Sequence, residues 1–254
     1  MTASAFFQRA RTLLEQLAHS QAEPIRRAAE ACAGSIGTGK LVHLFGTGHG
    51  AIPALEAFPR SGSFVGFHPI VETPITLLHH VWGDMGVPQY RFLHRQEGYG
   101  RAILEAQRLD PADTLILFSH SGINAVILDM ALAAQEQGLT VVGVTSRPHS
   151  SRVAPGHSSG KRLYEVADIV IDTGAPLGDA CVRVNGLSDP VAAVSTVLVT
   201  AVVNALIAET AAVMVERGRQ PHVEVNLNLP REGSARDQNN AGYAELWRRV
   251  AERR

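Results

Sequence analysis

Two loops rich in small residues each follow an apolar segment, and their residue types suit the binding of phosphate. The first loop, Gly46-Thr47-Gly48-His49-Gly50, follows residues 41–45, and the second loop, Ser119-His120-Ser121-Gly122-Ile123-Asn124, follows residues 115–118. Both precede helix-like sequence, so they are expected to open onto helix N-termini, whose free N–H groups and partial positive charge favour anions. Glycine allows close backbone approach and serine adds hydroxyl donors. At the carboxyl edge of one parallel sheet, the two loops predict a single site for a phosphate-bearing ligand.

The elements that must position these loops alternate between strand and helix. Residues 1–34 show helical spacing of apolar residues, and short apolar runs separated by helical stretches follow. The predicted strands cover residues 40–45, 63–70, 113–118, 140–144 and 168–171, and the predicted helices cover 99–108, 122–137 and 190–216. This alternation indicates an α/β fold with a parallel sheet covered on both faces. Residues 61–98 are harder to interpret and contain several histidines, namely His68, His79, His80 and His94.

The size and charge of the chain exclude several classes of protein. Its 254 residues suffice for one α/β domain with terminal extensions. Its net charge of −1 and the lack of a dense basic block argue against a nucleic-acid partner. The two cysteines, Cys32 and Cys181, lack CxxC spacing, which favours a reduced, cytoplasmic protein. No basic region followed by an apolar core, as in a signal peptide, is visible at the N-terminus.

One uncharged stretch needs separate consideration. Residues 191–208 reach the lower length limit of a membrane span. The stretch contains Ser195, Thr196, Thr200 and Asn204, and it lacks basic flanks. We therefore expect a buried helix, in the core or at a subunit interface, and no membrane partner.

A dinucleotide site is the competing interpretation of the first loop. Gly46, Gly48 and Ala51 match G-x-G-x-x-A, and Glu72 is an acidic residue further along the chain. A long helical stretch precedes the strand, however, and prolines interrupt the helix after the loop. The dinucleotide interpretation also assigns no role to the second loop, so we favour a phosphate site shared by both loops.

Taken in order, the two loops resemble those of the SIS (sugar isomerase) domain family, in particular a poorly characterised subgroup with a single domain. Further similarity lies in Thr145-Ser146, Ser195-Thr196, His157-Ser158-Ser159-Gly160-Lys161 and Gly178-Asp179-Ala180, and in the spacing of Glu56, Arg60 and Gly62. The resemblance covers about residues 35–215. It implies a three-layer α-β-α sandwich with a parallel sheet of about five strands, a phosphorylated sugar as partner, no cofactor, and a homodimer or dimer of dimers. The implied organisation is a helical arm (1–34), the SIS domain (35–216), and a tail (217–254) packed on the domain or on a partner subunit.

The resemblance and the positions of the loops together predict the residues that contact the sugar phosphate. These are Gly46, Thr47, Gly48, Arg60, Ser119, His120, Ser121, Gly122, Asn124, Thr145, Ser146, Ser195 and Thr196. The sequence departs from the family pattern at Gly50, where a serine is usual, and at Asn124, where threonine is common. The asparagine amide can still donate a hydrogen bond, whereas Gly50 removes one hydroxyl from the first loop.

For such a ligand the expected chemistry is aldose–ketose isomerisation through an enediol. This reaction needs a base that moves a proton between C1 and C2 and an acid or base for ring opening. Glu56, His49 and Asp179 are the catalytic candidates. Each also has a structural alternative: a helix-surface carboxylate for Glu56, a loop-shaping hydrogen bond for His49, and a turn cap for Asp179.

Three further residues were weighed for catalysis. Asp189 lies just before the long helix, near the usual place of a catalytic glutamate in the family. In relatives, a histidine from the neighbouring subunit assists ring opening, and His149 or His157 could serve in that way. No histidine spacing typical of a metal site occurs, so no metal is expected.

Two other functions remain open. A lyase or etherase would start with the same proton abstraction and then eliminate a group β to the carbonyl. A non-catalytic sensor of sugar phosphates would need only the binding residues. No output module, such as a DNA-binding helix-turn-helix, is evident, which favours an enzyme.

Overall fold

The computed structural model describes residues 2–57, 59–76, 86–230 and 233–253. His79 and His80 of the histidine-rich segment lie outside these residues. The first elements in chain order are α1 (Thr2–Ser20), α2 (Ala22–Gly37), β1 (Val42–Gly46), a 3-10 turn (Gly48–Ala51), α3 (Ile52–Ala57), β2 (Phe67–Pro69), α4 (Thr73–Thr76), α5 (Val87–Leu93) and α6 (Tyr99–Glu105). The remainder are β3 (Thr114–Phe118), α7 (Ala125–Glu136), β4 (Thr140–Thr145), α8 (Arg147–Ser150), α9 (Leu163–Val166), β5 (Ile169–Asp172), β6 (Ala180–Val182), β7 (Val191–Ala193), α10 (Ser195–Glu216) and α11 (Ala235–Ala251).

Five strands form one parallel sheet in the order β2-β1-β3-β4-β5. Strands β1 and β3 are buried along their whole length, as expected of the centre of a parallel sheet covered on both faces. Their register pairs Gly46 with Phe118. The first and second loops therefore leave the sheet side by side at its carboxyl edge.

Helices cover the sheet on both sides, so the molecule is a three-layer α-β-α sandwich. One apolar cluster joins one face of the sheet to α2 and α10, for example through Cys32, Leu44 and Val202. The other joins the opposite face to α6 and α7. This architecture confirms the predicted α/β fold class and its parallel sheet of about five strands.

The helical arm forms part of the packed molecule. A break at Gln21 separates α1 from α2, and Pro24 lies in the first turn of α2, where its missing N–H costs no helical hydrogen bond. Leu13 of α1 packs with Leu198 of α10, and Arg26 of α2 forms ion pairs with Glu209 and Glu216. The division of the chain at residue 34 stays a prediction.

The longest helix is α10, which is apolar over its 22 residues. It is the one helix of the described chain that is long and apolar enough to cross a membrane, but half of its most apolar window is buried within the molecule. It begins at Ser195 rather than near residue 190, because residues 191–193 instead form β7 and pair antiparallel with β6. It is thus a core helix, in agreement with the expectation of a buried helix.

The C-terminal segment packs back onto the domain. The backbone of Glu224 bonds that of Ser63, and Val65 bonds His222. This contact explains why the strand predicted over 63–70 is short: Gly66 has φ +128° and interrupts it, so that residues before Gly66 pair with the tail and those after it with β1. Helix α11 (Ala235–Ala251) forms the last element of this segment.

Candidate functional site

A cavity of about 260 Å³ lies where the first loop, the second loop and the start of α10 meet. We call it the carboxyl-edge cavity. Its lining residues are Thr47, His49, Gly50, Tyr90, Phe118, Ser119, His120, Ser121, Asn124, Asp179, Ala193, Ser195, Thr196 and Val199. The cavity is therefore rich in hydroxyl, amide and imidazole groups, with Phe118 and Val199 as apolar walls.

The first loop is shaped by its glycines. A Cβ atom on Gly46 would lie 2.0 Å from the carbonyl oxygen of Gly50, so the turn tolerates no side chain there. Gly48 has φ +55°, and a Cβ on it would meet the Tyr90 hydroxyl at 3.0 Å. This tight turn brings Thr47 and His49 to the wall of the cavity.

The two serines of the second loop have different hydrogen-bonding roles. Ser119 Oγ accepts the Gly122 N–H at 3.0 Å and so closes the turn, while Gly122 adopts φ +60°. Neither the Ser121 hydroxyl nor the Asn124 amide forms a hydrogen bond within the described chain. Asn124 is also the N-terminal flanking residue of α7, so the positive end of that helix dipole lies beside these two side chains, while the N–H groups of Val126 and Ile127 already donate to backbone carbonyl oxygens. The second loop thus offers free donors at a helix N-terminus.

Asp179 holds the start of α10. Its Oδ1 accepts the N–H of Val194 at 3.0 Å and of Ser195 at 2.7 Å, and its Oδ2 accepts the Ser195 hydroxyl at 2.6 Å. Its backbone lies in the left-handed region, with φ +70°. Both oxygens are therefore committed to a helix cap, the structural role weighed for this residue.

A pair of histidines lies beside Asp179. The rings of His120 and His149 are 4.3 Å apart between centroids. Both ring nitrogens of His120 are buried and lack a hydrogen-bond partner within the described chain. Burial lowers the pKa of His120; Asp179 opposes this effect and His149 adds to it. His120 is consequently neutral at neutral pH, with a ring nitrogen free to accept a proton.

His149 is oriented by its neighbours. Its Nδ1 accepts the Gly178 N–H at 3.1 Å, which places the proton of the neutral ring on Nε2. Burial lowers its pKa, with Asp179 opposing. Ser146 Oγ accepts the backbone N–H of His149 and donates to the Ala175 carbonyl at 2.6 Å. Ser146 thus supports His149 rather than lining the cavity.

The structure brings together nine of the predicted site residues. Those that line the cavity are Thr47, His49, Ser119, His120, Ser121, Asn124, Asp179, Ser195 and Thr196. Gly46, Gly48 and Gly122 shape the two loops without lining it. Thr145 donates to the His120 carbonyl at 3.3 Å and, with Ser146, supports the second loop from below.

Four further candidates neither line the cavity nor shape its loops, namely Glu56, Arg60, His157 and Asp189. Glu56 accepts a hydrogen bond from Arg60 at 2.6 Å and one from Asn204 of α10 at 3.1 Å, so these groups pair with each other. His157 is within hydrogen-bond distance of Asp129, at 3.2 Å. Asp189 is exposed and accepts the hydroxyl of the adjacent Ser188.

Sequence reasoning did not find Tyr90, Phe118, Ala193 or Val199. Tyr90 lies on α5, within the segment whose secondary structure was not predicted, and Pro88 in the first turn of α5 was the available signal. The other three are apolar residues that only the folded chain brings to the cavity. Among the residues that the structure describes, no group of three or more His, Cys, Asp or Glu side chains could hold a metal ion.

Fold and site together define an α/β protein with a ligand cavity at the carboxyl edge of a doubly covered parallel sheet. The SIS domain model matches residues 5–146, and the chain belongs to this family. The UPF0309 protein of Shouchella clausii is 36% identical to it, covering 85% of this chain and 86% of that protein. The UPF0309 protein of Geobacillus thermodenitrificans is 32% identical, covering 96% and 94%.

A solved structure shows the same fold at low sequence identity. Phosphoheptose isomerase from Neisseria gonorrhoeae superposes with a TM-score of 0.57 and 17% identity, covering 83% of this chain and 97% of that one. At 17% identity, this similarity shows a shared fold and nothing about activity.

Proposed function

We propose that the carboxyl-edge cavity binds a phosphorylated sugar and that the protein interconverts an aldose phosphate and a ketose phosphate through an enediol. The observation that carries the proposal is that unbonded side-chain donors at the N-terminus of α7 and the neutral ring of His120 line one cavity. The donors suit a phosphate, and the imidazole suits proton transfer. The name of the structural neighbour from N. gonorrhoeae, a phosphoheptose isomerase, accords with this chemistry.

Four side chains form the proposed phosphate cradle. Ser121 and Asn124 flank the start of α7, and Thr47 and Thr196 line the same cavity from the first loop and from α10. Neutral donors and a helix dipole hold a phosphate without a cation in contact with it. Gly50 has no hydroxyl where a serine is usual in the family, and a Cβ atom there would lie 2.8 Å from the Phe118 carbonyl oxygen, so the cradle depends more on the second loop.

The proton transfer is assigned to His120, whose ring lines the cavity and whose buried nitrogens reach a substrate once the ring rotates towards it. Its free ring nitrogen would take the proton from C2 of the aldose, the C–H electron pair becomes the C1–C2 double bond, and the carbonyl oxygen at C1 gains a proton. His120 then returns its proton to C1, and the C2 hydroxyl loses its proton as the carbonyl forms at C2, which balances the proton gained by the oxygen at C1 and completes the isomerisation. His49 lines the same cavity and is assigned to ring opening. Asp179 is assigned a positioning role, because its oxygens cap α10.

A non-catalytic sensor is the second candidate, favoured by one observation. Asp179 is the one carboxylate among the described residues that line the cavity, and its oxygens already accept three hydrogen bonds. Without a free carboxylate, the cavity could bind a sugar phosphate and leave it unchanged. A lyase or etherase would share the first proton abstraction and differ in its product.

Proton exchange in D₂O tests the proposal. The protein is incubated with hexose, pentose, heptose and amino-sugar phosphates, and NMR follows loss of the C2 proton signal and the appearance of product. We expect exchange with one sugar and a ketose product, and a loss of about 10²-fold or more in His120→Asn, the usual contribution of a general base. His157→Asn, outside the cavity, is the control.

The pH profile supplies a second readout. Because the pKa of His120 lies below its usual value, the exchange rate should stay constant as the pH falls through about 6.5, the value of an unperturbed histidine, and should decrease only at lower pH.

The exchange assay also separates the alternatives. Binding without exchange for every sugar would establish the sensor. Eliminated product would establish the lyase, and absence of binding would remove the phosphosugar assignment.

Glu56 stays a prediction that the same assay decides. Because Arg60 and Asn204 engage its carboxylate, we expect Glu56→Gln to keep most of the exchange activity. Loss of exchange with intact binding would instead make Glu56 the base and require the site to rearrange.

A cytoplasmic location is also proposed, since both cysteines are free thiols.

A further inference from the structure

A second cavity, of about 430 Å³, lies at the opposite edge of the sheet. We call it the amino-edge cavity. It lies against the beginning of β1, beside β2, and is closed by the segment after α6 and the end of α11. Its polar lining includes His43, His68, Arg108 and Arg253. None of these residues contributes to the carboxyl-edge cavity.

The buried carboxylate of Asp113 determines which atoms beside the cavity carry protons. The Asp113 carboxylate accepts hydrogen bonds from both terminal guanidinium nitrogens of Arg253. It also accepts hydrogen bonds from the backbone N–H groups of Leu41 and Asp110. Burial acts to raise the pKa of Asp113, but the hydrogen bonds from Arg253, His43 and these N–H groups outweigh it and hold the pKa well below its usual value. Asp113 is therefore ionised and can only accept hydrogen bonds.

The two histidines continue the chain of hydrogen bonds from Asp113. His43 Nε2 lies 3.2 Å from Asp113 Oδ2, so it must carry the proton. Burial lowers the pKa of His43, so the ring is neutral and its Nδ1 is a bare acceptor. His68 Nδ1 lies 3.0 Å from that atom and must donate to it. Burial, with His43 and Arg253, lowers the pKa of His68 to about 4, so its Nε2 is left without a proton.

Arg108 supplies an uncompensated positive charge at the same cavity. Its guanidinium forms no ion pair with any residue of the described chain, whereas Arg253 is neutralised by Asp113. Its backbone has φ +48°, a conformation that costs free energy in a residue with a side chain. Asparagine and glycine adopt this conformation more readily, so the fold alone does not favour arginine here.

We propose that the amino-edge cavity is a second binding site, for a small organic anion that carries a hydroxyl group. The hydroxyl donates to His68 Nε2, and the anionic group, a carboxylate or a phosphate, pairs with Arg108. The apolar side chains of Leu41 and Val250 contact the carbon skeleton. The proposal is independent of the reaction at the carboxyl-edge cavity.

The test uses the full chain with ¹⁵N-labelled histidine and long-range ¹H–¹⁵N NMR. In the free protein we expect His68 in the Nδ1–H tautomer. Titration with D-glycerate and with glycerol 3-phosphate should shift the Nε2 resonance of His68, while propionate, which lacks the hydroxyl, and glycerol, which lacks the charge, should bind at least about tenfold more weakly. The tighter of the two anions identifies the carboxylate or the phosphate as the natural group.

Two variants separate the contacts. Arg108→Asn suits the left-handed backbone and should weaken D-glycerate binding about tenfold. The equivalent loss of charge at exposed Arg27, in Arg27→Gln, should leave binding unchanged. His68→Asn keeps an amide donor near the position of Nδ1 but removes the Nε2 acceptor, so D-glycerate should then bind no better than propionate.

Three results would overturn the proposal. The first is an Nε2–H tautomer of His68 in the free protein. The second is the absence of any His68 shift with millimolar D-glycerate or glycerol 3-phosphate. The third is equal binding of these anions by wild type and a folded Arg108→Asn variant, as checked by its thermal unfolding curve. Because the readout is the His68 resonance, failure here leaves the isomerase test unaffected.

Discussion

At the scale of single residues, the two serines of the second loop illustrate how similar side chains take different roles. Ser119 Oγ is used inside the loop, where it accepts the Gly122 N–H. The Ser121 hydroxyl lines the cavity without a hydrogen bond to any described residue. The Ser121 hydroxyl can therefore engage a ligand without any commitment to the loop, whereas Ser119 Oγ already accepts the Gly122 N–H that closes the turn and has its O–H left to donate.

This difference predicts unequal effects of two matched substitutions. Ser121→Ala should weaken sugar-phosphate binding by more than about 1 kcal/mol, through loss of a charge-assisted hydrogen bond, and should leave the free energy of unfolding nearly unchanged. Ser119→Ala should lower the free energy of unfolding as well. Calorimetric titration and urea unfolding measure the two quantities. Unchanged affinity in Ser121→Ala would remove Ser121 from the phosphate cradle.

At the scale of elements, the start of α10 depends on a residue distant in sequence. Asp179 lies 16 residues before Ser195 and caps the first turn of the helix from the loop that precedes β6. The same helix packs on α2 and α3 and contributes Ser195, Thr196 and Val199 to the cavity. Capping by Asp179 thus sets both the start of α10 and one wall of the site.

Removal of the charge on Asp179 should weaken this element. Asp179→Asn tolerates φ +70° but provides a single acceptor oxygen, so we expect a loss of about 1–3 kcal/mol in the free energy of unfolding. Asp189→Asn, on an exposed carboxylate before β7, should change it by less than about 0.5 kcal/mol. Urea unfolding of both variants makes the comparison. Equal stability of the two would show that the cap contributes little.

At the scale of the whole molecule, an apolar surface lies beside the carboxyl-edge cavity. Ile52 and Leu55 of α3 and Val197 of α10 are each about two-fifths exposed, and α3 packs directly against α10. We propose that this surface forms the interface of a homodimer, the assembly that the family resemblance implies. Burial of these side chains would remove apolar area from water without disturbing the single chain.

Sedimentation measures the assembly. We expect the wild type to sediment as a dimer or a dimer of dimers and Leu55→Glu to shift it towards monomer, since a charge at the interface would lose its hydration. Leu229→Glu changes an exposed leucine of the C-terminal segment in the same way and should leave the assembly intact. A monomeric wild type, or a Leu55→Glu variant that assembles like the wild type, would contradict the proposed interface.

Local sequence signals were enough to predict the class of fold and the edge of the sheet at which the carboxyl-edge cavity lies. Apolar runs followed by glycine and serine, with helical periodicity between them, specify parallel strands whose loops meet at one edge, because these signals depend on neighbours along the chain. The lengths of β1, β3 and β4 and the position of the second loop follow closely from them. The uncharged stretch of α10 was likewise sufficient to predict a buried helix.

The contacts of each polar side chain, in contrast, became evident only in the folded chain. Residues from different elements meet in the cap of α10 by Asp179, in the hydrogen bond from Asn204 to Glu56, and in the ring contact between His120 and His149. The direction of a side chain depends on packing between elements, which local patterns do not encode. The same reason explains why Tyr90 was missed and why the amino-edge cavity had no signal in the sequence, since its lining comes from β1, β2, the segment after α6 and the C-terminal end of α11.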